Sequence, residues 1–232
     1  MSLHHNPRIV TSGLELALDA GDINSYPGSG TTWYDTSGNA YNGTLYSGAA
    51  YAARNGGVIT FDGTNDYMQL VDGLDTPTAV NSTYEFWCKT TTNKNAEYLK
   101  VGTGSVTNSA GEMAFFYINN LMYFIKFVSA GGDRPHIAAS YSYNLADGEW
   151  KHIVGTYEGT ASAGTSRLYY NGVQVASNST ITYSTSEAQP GFSQASSYAF
   201  AGDLANIRVY SRTLSAAEVL QNYQAQKSRF GL

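Results

Sequence analysis

Apolar and polar residues alternate in short runs along most of this chain, and glycine, serine, asparagine or proline separates one run from the next. Period-two alternation puts successive side chains on opposite faces of an extended strand. It predicts strands at 14–19, 58–62, 67–71, 83–89, 97–101, 113–118, 121–128, 167–170, 173–176 and 202–210. The run Tyr84-Glu-Phe-Trp-Cys-Lys89 carries aromatic residues at both parities, so that strand is expected to be covered on both faces. Tyr84, Phe86 and Cys88 share one side, with Lys89 on the other. Helical periodicity is confined to 216–225, where Ser215 and Glu218 form a capping box that satisfies backbone N–H groups at the helix start.

Turn chemistry refines this pattern. Asn171-Gly172 between two short strands calls for a type I′ hairpin, because both central residues tolerate positive φ; Asn119-Asn120 marks a second hairpin. The stretch 21–51 is rich in Gly, Ser, Thr and Asn, with turns at Pro27-Gly28 and Ser37-Gly38, and predicts a long loop holding one short strand near 44–46. No fixed-period repeat argues for a propeller or solenoid. Many short strands and one late helix give an all-β class, an antiparallel β-sandwich with one short C-terminal helix. The divisions are a polar N-terminal arm at 1–12, a single domain at 13–225 and a C-terminal tail at 226–232.

Composition narrows the partners. Thirteen Lys and Arg against eighteen Asp and Glu leave a net charge of -5 with no basic run, which argues against nucleic acid. Glycine (24) and tyrosine (19) outnumber the cationic residues, a mix suited to neutral polar surfaces and to carbohydrate or protein contacts. No run reaches the roughly 20 residues of a membrane span or supplies a signal-peptide core, so no membrane insertion and cytoplasmic synthesis are expected. On that basis Asn42-Gly-Thr44, Asn81-Ser-Thr83 and Asn178-Ser-Thr180 are read as turn or strand chemistry rather than glycosylation sites. The lone Cys88 is expected to be a small buried hydrophobe.

Four segments, Phe61-Asp-Gly-Thr-Asn-Asp-Tyr67, Tyr84-Glu-Phe-Trp87, Gly148 to Tyr157 with Arg167-Leu-Tyr-Tyr-Asn-Gly-Val173, and Gly202 to Tyr223, together resemble the laminin-G-like, concanavalin-A-like jelly-roll family. The resemblance covers about residues 13–225 and implies a sandwich whose relatives mostly bind rather than catalyse. In that frame Trp87 and Trp150 are expected in the core, with Trp150, Ile153 or Val154, and Tyr157 filling the sheet opposite Tyr84 to Lys89. A narrower resemblance, carried by 1–13, by 14–20 with Ser25 to Trp33, and by Gln226 to Leu232, is to virion structural proteins of marine tailed bacteriophages. It implies a bacteriophage capsid decoration or a fibre- or tail-attached protein, made in the host cytoplasm and located in the virion, with other virion proteins as partners. Leu3, Pro7, Arg8 and Ile9 of the arm are then the candidate docking residues.

Catalytic signatures are missing. Retaining glucanases of this superfamily set carboxylates at alternate strand positions, about 5 to 5.5 Å apart, and no Glu-x-Asp-x-Glu run occurs here. There is no Gly-x-Ser-x-Gly; His152 sits in a strand-like segment where a structural role is expected, and His136 follows Pro135 beside a tyrosine-rich stretch, with no catalytic role expected for either. No enzyme activity is expected. Loop carboxylates Asp19, Asp22, Asp35, Asp62 and Asp66 are calcium candidates, although Asp in Gly-rich loops also makes Asx-turns. For host-surface glycans, Tyr141, Tyr143 and Tyr198 are candidate stacking residues, equally able to anchor a protein.

Overall fold

In the computed structural model, residues 7–70, 74, 81–101, 113–127, 136–160, 163–182 and 199–232 are described. The strands run in chain order β1 (Leu14–Asp19), β2 (Thr32–Trp33), β3 (Gly43–Tyr46), β4 (Ala50–Ala52), β5 (Val58–Asp62), β6 (Tyr67–Leu70), β7 (Asn81–Lys89), β8 (Ala96–Val101), β9 (Met113–Ile118) and β10 (Leu121–Phe127). They continue with β11 (His136–Ser142), β12 (Lys151–Gly159), β13 (Gly164–Tyr170), β14 (Val173–Asn178) and β15 (Ala201–Tyr210), before helix α1 (Ala216–Gln226) and a 3-10 turn, Lys227–Phe230.

An eight-stranded antiparallel sheet, β14-β13-β12-β7-β15-β5-β4 with β1 also on β15, forms one layer. Two smaller sheets, β11-β10-β9-β8 and β2-β3-β6, supply the other. Between the layers lies one core: Tyr84, Phe86 and Cys88 of β7, Ile153 and Tyr157 of β12 and Ile207 and Val209 of β15 meet Phe115, Phe124 and Ile137 of the smaller sheet. Phe86 and Phe115 pack edge to face, centroids 5.0 Å apart. Gly155 on β12 is required by this packing, since a Cβ there would run into the Phe124 ring. Burial pushes the Cys88 thiol up to about 12, leaving it a packing group rather than a nucleophile.

The predicted strands hold closely; β11, which carries Tyr141, stands in addition to them, and there are two further differences. Ile153 pairs with Phe86 and Gly155 with Tyr84, so the segment expected in the opposing sheet is the direct neighbour of β7. Both strands are covered on two faces, and an apolar run without alternation carries no mark of the sheet to which it belongs. The loop at 21–51 contains three short strands rather than one, and Trp33 of β2 is fully buried. Strands of two or three residues are too short for alternation to reveal. Both hairpins turn as expected, with positive φ at Asn119, Asn120, Asn171 and Gly172. The three Asn-x-Ser/Thr asparagines serve structure: Asn42 Oδ1 accepts from Asp35 N–H, Asn81 Oδ1 from Gly159 N–H, and Asn178 Oδ1 from Thr180 N–H.

On the back of the large sheet, facing away from that core, the C-terminal segment forms a second layer. Ser215 Oγ accepts from Glu218 N–H and Glu218 Oε2 from Ser215 N–H, the capping box read in the sequence. Arg212 grips the same carboxylate and, with its hydrogen bonds, holds Glu218 down at about 2. The helix lays Val219, Asn222 and Tyr223 on the sheet. Residues 226–232 continue that cover: Phe230 stacks on Trp87 at 4.2 Å and packs at a tilt against Trp150 at 4.6 Å, while Arg229 Nη1 donates to Asp19 Oδ1 at 2.7 Å.

Beneath the helix lies a buried polar network. The Glu85 carboxylate, fully buried on β7, accepts from Arg208 Nη1 at 3.0 Å and from Asn222 Nδ2 at 2.8 Å; Arg208 also donates to Asn206 and Gln226. His152 stacks on Trp87 with its Nε2 3.6 Å from Glu85 Oε2. Desolvation raises the Glu85 pKa, but His152, Arg208 and Asn222 outweigh it and hold the carboxyl at about 2.

Two outcomes test this layer. The Glu85 carboxyl is depressed in the folded chain, so its stabilisation is full above the unfolded value near 4.5 and is lost as pH falls toward 2; Glu85→Gln should remove that acid-sensitive segment from the stability curve and cost about 3 kcal/mol in urea unfolding. Phe230→Ala should cost about 3 kcal/mol and shift tryptophan emission to the red as Trp87 and Trp150 become hydrated. An unchanged spectrum and unfolding midpoint would show that the terminal turn is not part of the cover.

Candidate functional site

The alternation that builds β11 also positions its tyrosines. Ile137 and Ala139 point into the core, and Tyr141 has the same parity, but it falls where the strand runs past the end of the packed interior. Tyr141 is therefore 37% exposed at the rim of the sandwich. Tyr143, two residues on, is tied to the neighbouring hairpin by its N–H donating to Asn120 C=O. The Tyr141 and Tyr143 rings lie 6.4 Å apart, tilted by only 21°, and Tyr143 meets Tyr170 of β13 at 4.3 Å.

The result is a row of three tyrosines bridging the gap between the two layers at the β11 and β13 edge. Beneath them, among Met122, Leu168 and Val175, lies an apolar packing gap of about 10 Å³, roughly the size of one water. That is below the roughly 300 Å³ of an enclosed small-molecule pocket, so the place suits contact with part of a ligand rather than engulfment. Polar groups border it. Lys151 Nζ lies 5.7 Å from the Tyr143 ring centre and pairs with Asp147 Oδ1 at 2.8 Å. Asp147 is held below the usual carboxylate range by Lys151 and the Glu149 N–H, against the opposing effect of burial. Burial first, then the Tyr143 hydroxyl, raises the Tyr170 phenol.

The sequence therefore picked out two members of this row and missed the third. Tyr170 stands directly before the Asn171-Gly172 turn, and its inward parity follows from its pairing with Ile153, a register that the chain alone does not reveal. Lys151 and Asp147 were missed for the same reason: their relevance depends on the turn between them folding back over Tyr143. Tyr198 lies outside the described residues, as does Leu3.

The other candidates are spread over the fold. Asp19 Oδ1 accepts from Gly21 N–H and Arg229, Asp22 Oδ1 from Asn24 N–H, and Asp35 from Ala17, Ser37 and Tyr41 N–H groups. Asp62 Oδ1 accepts from Thr64 N–H, and Asp66 Oδ2 from Asp62 N–H. These are Asx-turn and loop-bracing bonds, and among the described residues no three His, Cys, Asp or Glu side chains converge on a metal position. At the arm, Pro7 and Arg8 are exposed and Ile9 is half-buried. Gln221 donates to Arg8 C=O, Asn222 Oδ1 accepts from Val10 N–H, and Tyr210 donates to Val10 C=O, so the arm from Arg8 onward is fastened to its own helix. Among the described residues no helix is long and apolar enough to cross a membrane.

The architecture has close structural counterparts. The binding domain of botulinum neurotoxin DC in complex with SialylT aligns with a TM-score of 0.65 at 12% identity, covering 94% of this chain and 52% of that one. The same domain in complex with rat synaptotagmin II aligns at 0.64 and 10% identity, covering 94% and 52%, and the botulinum neurotoxin serotype D binding domain at 0.64 and 14%, covering 94% and 53%. The chain thus spans about half the length of these solved structures, and the likeness is one of fold. No match to a curated protein is found. A laminin-G family model, described as the concanavalin A-like lectin/glucanases superfamily, matches residues 62–220, which is more than half of the chain. The chain belongs to the concanavalin A-like lectin/glucanases superfamily.

Proposed function

We propose that this chain is a non-enzymatic binding domain that recognises host-surface glycans through the tyrosine row at the sandwich rim. The observation that carries this reading is the exposed Tyr141 ring, nearly parallel to Tyr143, against which the buried Lys151 holds the exposed Asp147 carboxylate. The C–H face of a sugar stacks on the negative face of an aromatic ring, and hydroxyls bond to neighbouring polar groups. A rim platform without a deep pocket suits one or two sugar units of a longer chain. The neurotoxin domains, named with SialylT and with a synaptotagmin, are binding domains of the same fold, which supports a binding role without fixing the ligand.

The wider setting we propose is display on a bacteriophage particle, as a head decoration or a fibre or tail attachment. Support comes from the terminal segments, whose sequence resembles phage virion proteins, and from the arm: its base is fastened to α1 while Pro7 and Arg8 stay exposed for contact with other virion proteins. Weak rim contacts would then be multiplied by copy number on the particle.

Tyr141→Ala should weaken binding of the purified domain to host-cell polysaccharide at least tenfold in a surface-binding assay, while Tyr141→Phe retains it; equal binding by the alanine variant would remove the tyrosine row from the reading. For the particle setting, Arg8→Ala combined with Ile9→Ala should lower incorporation into purified virions, measured by mass spectrometry, and undiminished incorporation would remove the arm as the docking element.

A further inference from the structure

The small sheet β2-β3-β6 lies beside the other small sheet and turns one face to solvent. Its register assigns every side chain to a face: Leu45 opposite Met68 and Trp33 opposite Gly43 point inward, with Leu45 and Trp33 buried. Thr32 opposite Thr44, Thr44 opposite Gln69, and Tyr46 opposite Tyr67 point outward. The two tyrosine rings are stacked at 4.7 Å and 12°, and Tyr46 is 39% exposed. Gln69 is exposed, and both threonines are half-buried.

Among the described residues this face carries no charged side chain, and its two tyrosines sit at anchored strand ends. Tyr46 ends its strand at a turn closed by Ala49 N–H on Tyr46 C=O, and Tyr67 begins its strand just after Asp66, whose carboxylate braces Asp62 N–H. Three strands about 4.8 Å apart and two residues along a strand give a patch of roughly 10 by 7 Å. One part is aromatic and the rest consists of hydroxyl and amide groups. A face with no ionised side chain complements a ligand that carries none, and alternating apolar and hydroxyl-bearing surface matches it to sugar rings rather than to an acidic glycan or a charged peptide.

We propose that the outer face of β2-β3-β6 is a second binding platform, for a linear neutral oligosaccharide that stacks on Tyr46 and places hydroxyls on Thr32, Thr44 and Gln69. It rests on the same glycan-binding reading of the domain but on a separate surface. Tyr141 belongs to the layer above β13 and β14, whereas a Cβ on Gly43 of β3 would touch Leu18 of β1, so the two platforms sit toward opposite ends of the sheet order. Five strand intervals separate β14 from β1, or about 24 Å. One glycan chain or a coated surface could engage both, which raises apparent affinity without new contacts.

The test uses the full chain labelled with 3-fluorotyrosine, with the signals of Tyr46, Tyr67, Tyr141 and Tyr143 assigned by single Tyr→Phe variants. Cellohexaose, laminarihexaose and chitohexaose are the neutral probes and oligogalacturonate the charged one. The Tyr46 and Tyr67 resonances should move with at least one neutral probe and stay still with oligogalacturonate, and Tyr46→Ala should reduce the affinity read at the Tyr67 signal at least tenfold. Silence of both resonances toward all neutral probes overturns the proposal, as does a response to oligogalacturonate alone. Movement of the two signals with protein concentration in the absence of sugar also overturns it, since the face would then be an interface between copies. Silence at Tyr141 and Tyr143 bears only on the rim site.

Discussion

The Glu85 carboxylate, buried in the middle of the large sheet, is the constraint that most of the back of this molecule answers to. A carboxylate without water is tolerated only where charge and donors surround it, and here Arg208 comes from the adjacent strand while Asn222 comes from α1. The sheet supplies Arg208 and the nearby His152, and the amide donor has to come from outside it. The helix must therefore lie where Asn222 reaches Glu85, which fixes its rotation, and the capping box with Arg212 fixes where it starts. Asn222 then serves twice, because its Oδ1 accepts from Val10 and so fastens the N-terminal segment to the same place. One buried charge thereby ties together β7, β15, the helix and the arm.

Closure of the back face follows from the same geometry. Once α1 is seated, Phe230 covers Trp87 and Trp150, and Arg229 reaches Asp19 across the sheet edge. The middle strands of the large sheet, β7, β12 and β15, are then buried on both sides by their own chain. Surfaces for a partner are left to the rim and to the smaller sheets. Among the described residues the exposed tyrosines are Tyr141 at the gap between layers, Tyr46 on the outer face of β3 and Tyr34 just after β2.

The extent to which this was legible in the sequence follows from how far each feature depends on local period. The strands, the two type I′ hairpins and the capping box are local, and the residues that define them lie within a few positions of one another; the family resemblance rests on four such segments. Sheet membership is not local, so Trp150 to Tyr157 was expected opposite β7 and pairs with it instead. Glu85 and Arg208 did leave a trace, as charges at interior positions of apolar strands, but their meaning required Asn222, 137 residues from Glu85. Tyr141 and Tyr143 share a face by simple parity, whereas Tyr170, Lys151 and Asp147 join them only through the register of β12 and β13.

Aromatic residues in this chain divide by what surrounds them rather than by type. Trp33, Trp87 and Trp150 are all buried, and every tryptophan is thereby removed from recognition. Tyrosine remains, and its hydroxyl lets it stand half in water at the ends of strands without an unsatisfied group. A surface built from tyrosine, threonine, asparagine and glutamine, with few charges, has little long-range steering and little salt dependence. It gains selectivity from ring orientation and hydrogen-bond placement, which rigid strand ends provide and mobile loops do not. The Glu85 clasp contributes to that rigidity from behind, because it locks the sheet against which both tyrosine surfaces are braced.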